Sequence, residues 1–142
     1  MQERANGQWR VVLVEDDARL RRALAGVLSV SGFRVFAFGT AEEAREGAPW
    51  AAAACLVVDV RLPGMSGLEL LRWLRERSDT VPAIVLTADT REATRDAAMR
   101  LGVAGYLEKP AAGRAVAAAV REAILKRRTE GGSPAQGGNT SP

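Results

Sequence analysis

The chain of 142 residues contains no histidine, so the commonest metal ligand and general base is missing, and the chain cannot itself carry a phosphohistidine. It has a single cysteine, Cys55, which excludes a disulfide within the chain and any cysteine-rich zinc site. Cys55 lies in the apolar run AAAACLVVD and reads as a small buried hydrophobe. There is no long uncharged apolar stretch of the kind that crosses a bilayer, and the first ten residues, MQERANGQWR, carry charge where a signal peptide needs an apolar segment. The expected location is the cytoplasm, without a membrane partner. The segment after Arg128, TEGGSPAQGGNTSP, holds no apolar residue larger than alanine. It reads as a flexible tail that offers no helix for reading DNA. The net charge of +3 is partly accounted for by Arg4, Arg10 and the cluster Lys126, Arg127 and Arg128; solvated termini explain it better than a nucleic-acid groove.

With 47% hydrophobic residues the chain can bury a core of one domain. The expected division is an N-terminal extension over 1–9, a domain over 10–128 and a tail over 129–142. Short apolar runs at 11–14, 55–59, 83–87 and 103–107 suit strands buried on both faces, and the alternating run at 33–38 suits an edge strand. Helical spacing lies between them. Leu20, Leu24, Val27 and Leu28 form one face, Leu68, Leu71 and Leu74 a second, and Val116, Val120, Ala123 and Ile124 a third. Thr40 and Glu43 have capping-box spacing for a short helix ending near Gly47, and a weaker helix is predicted from 90 to 101, stopping at Gly102. Strands alternating with helices predict a doubly wound α/β domain with a five-stranded parallel sheet.

In such sheets ligands sit beyond the carboxyl ends of the strands. Those ends carry Glu15, Asp16 and Asp17 after the first strand, Asp59 after the third, Thr87 at the end of the fourth, and Glu108, Lys109 and Pro110 after the fifth. Two carboxylates ~4 Å apart repel by roughly 4 kcal/mol at an effective dielectric of 20, which calls for a cation. Oxygen donors alone favour a hard ion such as magnesium, and magnesium beside a carboxylate points to phosphate chemistry. Each residue also has a plainer role. Asp16 or Asp17 can cap the next helix, Asp59 can open a turn, Lys109 can be a solvated charge, and Thr87 an ordinary β-branched strand residue. Their convergence on one edge is what favours chemistry.

The motifs VVLVEDD, DVRLPGMSGLELL, PAIVLTAD and GYLEKP, in this order, closely resemble the receiver domains of bacterial response regulators, and in wording those of the nitrogen-fixation regulators. The similarity covers about residues 10 to 125. It implies the flavodoxin-like strand order 2-1-3-4-5 and a phosphorylation-dependent signalling switch rather than an enzyme, with intrinsic autodephosphorylation. By position it implies that Asp59 is the phosphoacceptor, and that Mg2+ is held by Glu15, Asp16, Asp59 and the Arg61 carbonyl. Thr87 is the implied switch hydroxyl, Lys109 the phosphate-contacting lysine ahead of a cis Pro110, and Tyr106 the aromatic that moves with Thr87. Arg61, Ala88 and Asp89 occupy positions that tune dephosphorylation, and a pairing of Arg61 with Asp89 across the site mouth is expected. Ala111 stands where such receivers often carry phenylalanine, so packing before the last helix is expected to be looser. The implied partners are a sensor histidine kinase or phosphotransfer protein and a downstream protein meeting the surface of helix 4, strand 5 and helix 5. Direct DNA binding is not expected, and a phosphorylation-dependent homodimer stays open. The main alternative is a magnesium-dependent phosphatase acting through an aspartyl phosphate. Such enzymes resemble a D-x-D pattern, and Arg61 stands at the second acid's position. A nucleotide site is disfavoured because Glu15, Asp16 and Asp17 stand where a Gly-rich phosphate loop would follow strand one.

Overall fold

A computed structural model describes residues 4–5 and 7–131. The elements are β1 (Arg4–Ala5), β2 (Gln8–Val14), α1 (Ala18–Val30), β3 (Arg34–Phe38), α2 (Ala41–Gly47), a 3-10 turn (Trp50–Ala52), β4 (Ala53–Val58), α3 (Gly67–Glu76), β5 (Ala83–Thr87), α4 (Glu92–Arg100), β6 (Gly105–Glu108) and α5 (Gly113–Gly131). The five parallel strands run in the order β3-β2-β4-β5-β6, the predicted order 2-1-3-4-5.

Strand composition follows position in this order. All residues of β4 and β5 are buried because helices cover both faces of the sheet centre, whereas β3 at the edge has an interrupted burial pattern. The period of two then sorts side chains into two cores. Val11, Leu13, Cys55, Val57, Ile84 and Leu86 meet Leu24 and Leu28 of α1 and Val116, Val120 and Ile124 of α5. Val12, Val14, Leu56, Val58 and Val85 meet Ala41 and Ala44 of α2, Leu70, Leu71 and Leu74 of α3, and Ala98 of α4 on the opposite face.

Several boundaries differ from the sequence expectation. The first parallel strand begins at Gln8 inside the expected extension, and β1 pairs antiparallel with it through Arg4↔Trp9 and Ala5↔Gln8, adding a sixth strand. The intervening Asn6-Gly7 is a two-residue hairpin signal, and Gly7 has the positive φ of 80° that such turns use. The last strand is Gly105–Glu108 instead of 103–107, because Gly102 (φ 72°) closes α4 and the Ala104 amide bonds the Ala83 carbonyl before pairing begins. On α3 it is Leu70 that is fully buried with Leu71 and Leu74, while Leu68 is half-buried. Helix α5 continues through Gly131, three residues past the expected end of the domain at Arg128; residues 132–142 of the expected tail lie outside the described residues.

Candidate functional site

The ladder that orders the sheet also delivers the acids. Beyond the last pair of β2 and β4, the Asp59 amide bonds the Val14 carbonyl at 3.2 Å, and the Glu15 amide bonds the Phe38 carbonyl at 3.1 Å. Glu15, Asp16 and Asp59 each offer a carboxylate oxygen within 4.8 Å of the others. Glu15 and Asp59 are 2% and 6% exposed, whereas Asp16 is open to solvent. Asp17, not Asp16, is the helix cap: its side chain accepts from the Arg19 and Leu20 amides, which lowers its pKa. Asp16 is thereby left for the cluster.

Across the sheet, the Lys109 amide bonds the Thr87 carbonyl at 2.9 Å, bringing the end of β6 alongside. The Lys109 ammonium donates to Glu15 Oε1 at 2.7 Å and to Asp59 Oδ2 at 2.6 Å. Burial pushes Glu15 up, against the lowering by its bond from Lys109. Burial acts on Lys109 in the opposite sense, yet its bonds to Asp59 and Glu15 outweigh it and raise the ammonium pKa. The remaining carboxylate oxygens are also directed: the Arg61 amide donates to Asp59 Oδ1 at 3.1 Å and the Asp17 amide to Glu15 Oε2 at 3.0 Å. Arg21 braces the same turn from α1, its Nη1 2.7 Å from the Glu15 carbonyl. The Lys109–Pro110 peptide is cis, as expected, and Ala111 packs half-buried against the core of α1 and α5.

Thr87 is fully buried, and its Oγ1 accepts the Asp89 amide at 3.2 Å. Its own O–H proton has no acceptor among the described residues. Tyr106 is half-buried, not solvated at its tip: the hydroxyl donates to the Asp89 carbonyl at 3.3 Å, the Arg95 guanidinium lies 5.1 Å from its ring centroid, and burial raises its pKa. Arg61 does pair with Asp89, Nε to Oδ2 at 3.4 Å. The stronger partner of Asp89 is Arg91, a residue sequence reasoning missed, whose Nε and Nη2 grip both carboxylate oxygens at 3.0 and 2.7 Å. That fork, foremost, holds the Asp89 carboxyl well below the usual range. Ala88, between Thr87 and Asp89, is exposed. Asp16, Arg61, Leu62, Asp89, Arg91 and Thr94 line an open groove of about 660 Å³ beside the cluster.

The donor set fits a hard divalent cation. It consists of carboxylate oxygens without imidazole or thiolate, and Cys55, the only thiol, is buried in the core with its pKa pushed up to about 12.

This arrangement of a doubly wound sheet with acids and a lysine at its carboxyl edge is that of a signalling receiver. Residues 11–121 match the response regulator receiver domain family, and the chain belongs to it. It is 39% identical over 121 residues to the transcriptional regulatory protein FixJ of Azorhizobium caulinodans, covering 85% of this chain and 57% of that protein. To the transcriptional regulatory protein GltR of Pseudomonas aeruginosa it is 36% identical over 125 residues, covering 87% and 51%. The chain thus spans about half the length of these curated relatives. Among solved structures, a CheY-like receiver domain protein from Methanospirillum hungatei superposes with a TM-score of 0.79 at 22% identity, covering 87% of this chain and 98% of that one. Among the described residues no helix is long and apolar enough to cross a membrane.

Proposed function

We propose that the chain is a phosphorylation-dependent switch that accepts a phosphoryl group on Asp59. The observation that carries this reading is the half-buried Lys109 ammonium shared between buried Glu15 and Asp59, with exposed Asp16 beside them. An Asp59 oxygen attacks phosphorus while the bond from phosphorus to the donor breaks. The leaving group, the imidazole of a histidine kinase or phosphotransfer protein or the carboxylate of a small acyl phosphate, departs with the electron pair. Such transfer depends on positioning and on neutralising charge on the phosphoryl oxygens. Asp59 is oriented through both its oxygens, by Lys109 and the Arg61 amide. Lys109 meets the incoming charge, and Thr87 donates its unpartnered O–H proton. Glu15, Asp16, Asp59 and the Arg61 carbonyl would hold Mg2+, whose contribution when bound is further neutralisation of phosphoryl charge.

The phosphoryl group interacts with Thr87 and Lys109, and that differential interaction shifts the population of the surface formed by α4, β6 and α5, where a protein partner reads it. Arg61 and Asp89 pair across the mouth of the site and restrict the water that would hydrolyse the aspartyl phosphate, tuning its lifetime. The reading places the chain in the cytoplasm. The phosphatase alternative is disfavoured because Arg61, whose guanidinium is paired with Asp89, stands where the second acid for a leaving group would be needed. The test is stoichiometry. With acetyl phosphate and magnesium, phosphate incorporation should saturate at one group per chain with no turnover of phosphate monoesters. Repeated turnover of esters would replace this reading with the phosphatase.

A further inference from the structure

Asp89 is 3% exposed, and each of its polar atoms is engaged. Its amide donates to Thr87 Oγ1 at 3.2 Å and its carbonyl accepts from the Tyr106 hydroxyl at 3.3 Å. One residue therefore holds both side chains assigned to the switch. Its carboxylate is held in turn. Oδ1 accepts from the Arg91 amide and Nε, each at 3.0 Å, and Oδ2 accepts from Arg91 Nη2 at 2.7 Å and the Thr94 hydroxyl at 3.0 Å. The Arg61 guanidinium adds a longer contact at 3.4 Å. Arg91, at the head of α4, makes no side-chain capping bond of its own; its guanidinium is committed to Asp89 instead.

We propose that Arg91 and Thr94 are positioning residues for phosphoryl transfer at Asp59, acting through Asp89 to hold Thr87 and Tyr106 in the arrangement that receives the phosphoryl group. The inference rests on the reading of Asp59 as phosphoacceptor. In this arrangement Thr87 Oγ1 spends a lone pair on the Asp89 amide and keeps its proton for an incoming oxygen. The segment from Ala88 to Arg91 leaves the sheet between β5 and α4, and such a connection is mobile unless its own groups are tied down. A two-pronged guanidinium fork on a buried carboxylate fixes direction as well as distance, which a point charge does not. Arg91 is itself 68% exposed along its side chain, so its removal opens no cavity. What it removes is order in the loop. A phosphoryl mimic then binds only the fraction of molecules in the receptive arrangement, and its apparent affinity falls by that fraction.

Tyr106 is the only tyrosine in the chain, so 3-fluorotyrosine labelling gives a single 19F signal at the switch. The experiment titrates beryllofluoride, with magnesium present, into wild type, Arg91→Ala, Arg91→Lys and Thr94→Val, reading that signal, and checks each fold by thermal melting. Arg91→Ala should move the ligand-free 19F shift toward that of a solvated tyrosine and raise the half-saturating beryllofluoride concentration roughly fivefold or more. Thr94→Val should act in the same direction and less strongly. Arg91→Lys keeps the charge and loses the fork, so it should stay close to Arg91→Ala. Full restoration by lysine would assign the effect to general charge and overturn the inference. So would an Arg91→Ala protein that binds as well as, or better than, wild type with an unmoved 19F shift. A wild type that does not bind beryllofluoride would sink the phosphoacceptor reading itself, a distinct outcome.

Discussion

Removing Lys109 tests how the buried acids are held. Its ammonium lies 2.7 Å from Glu15 and 2.6 Å from Asp59, whose side chains are 2% and 7% exposed. At an effective dielectric of 20 each contact amounts to about 6 kcal/mol of attraction, while two carboxylates at the 4.8 Å limit of the cluster repel by about 3.5 kcal/mol. Desolvation of the three charges consumes much of that attraction, so the gross figures are not the net effect. In Lys109→Ala the acids face each other uncompensated, and the least costly relief is uptake of one proton by the pair. Protonating a carboxyl that titrates at its ordinary 4.5 costs about 3.4 kcal/mol at pH 7, from 1.36 kcal/mol per unit, and about 0.7 kcal/mol at pH 5. Burial already raises Glu15, so these are ceilings. The variant should lose about 2–3 kcal/mol at pH 7 and under about 1 kcal/mol at pH 5. The sign follows from proton counting. The folded variant keeps a proton that the unfolded chain releases above the ordinary value, so its stability falls as pH rises from there through the raised folded pKa. Urea unfolding of both proteins in EDTA at pH 5, 6 and 7 measures it. A loss below about 0.5 kcal/mol at pH 7, or the same loss at pH 5 and 7, would refute the electrostatic reasoning.

Three other substitutions or probes report on separate parts of the account. Asp59→Asn removes one of three candidate ligands; magnesium at 100 times its Kd should stabilise wild type by about 2.7 kcal/mol and the variant by far less, and equal thermal shifts would exclude Asp59 from the metal site. Gly67→Ala should cost at least about 2 kcal/mol and slow phosphorylation, because a Cβ there would fall on the Asp59 carbonyl oxygen and 2.8 Å from its carbon. A Gly67→Ala protein as stable and as fast as wild type would show that the β4–α3 connection yields freely. Cys55, fully buried with its thiol pushed up to about 12, should react with an aromatic disulfide only as fast as the protein unfolds, and prompt labelling of the native protein would contradict its burial.

Where a sequence signal was local and unopposed, the structure follows it closely. The run Ala83–Leu86 is apolar, starts after Pro82 and ends on Thr87, and β5 spans Ala83–Thr87. Thr40 caps α2 by accepting the Glu43 amide, and that helix ends at Gly47. The acids, Thr87 and Lys109 were legible because each follows an apolar run, and parallel pairing carries strand ends to one edge. The signals that went unread were of two kinds. Some were local and overlooked: the Asn6-Gly7 pair in the sequence ahead of β2, and Ser66 with Glu69, which form a complete capping box on α3. Others depend on how a loop doubles back. That Glu42 accepts the Met65 amide from 23 residues away is a product of tertiary geometry, and that Arg91 and Thr94 clasp Asp89 depends on the path of the β5–α4 connection, while the sequence leaves the choice of Asp17 over Asp16 as the cap of α1 open between the two. Sequence spacing alone carries no such information.

The central claim is that Asp59 accepts the phosphoryl group. Intact-mass analysis after incubation with acetyl phosphate and magnesium tests it most directly, comparing wild type with Asp59→Ala. The account predicts one added phosphoryl group on wild type and none on the variant. A wild type that gains no phosphate, or a variant that gains as much as wild type, would contradict it.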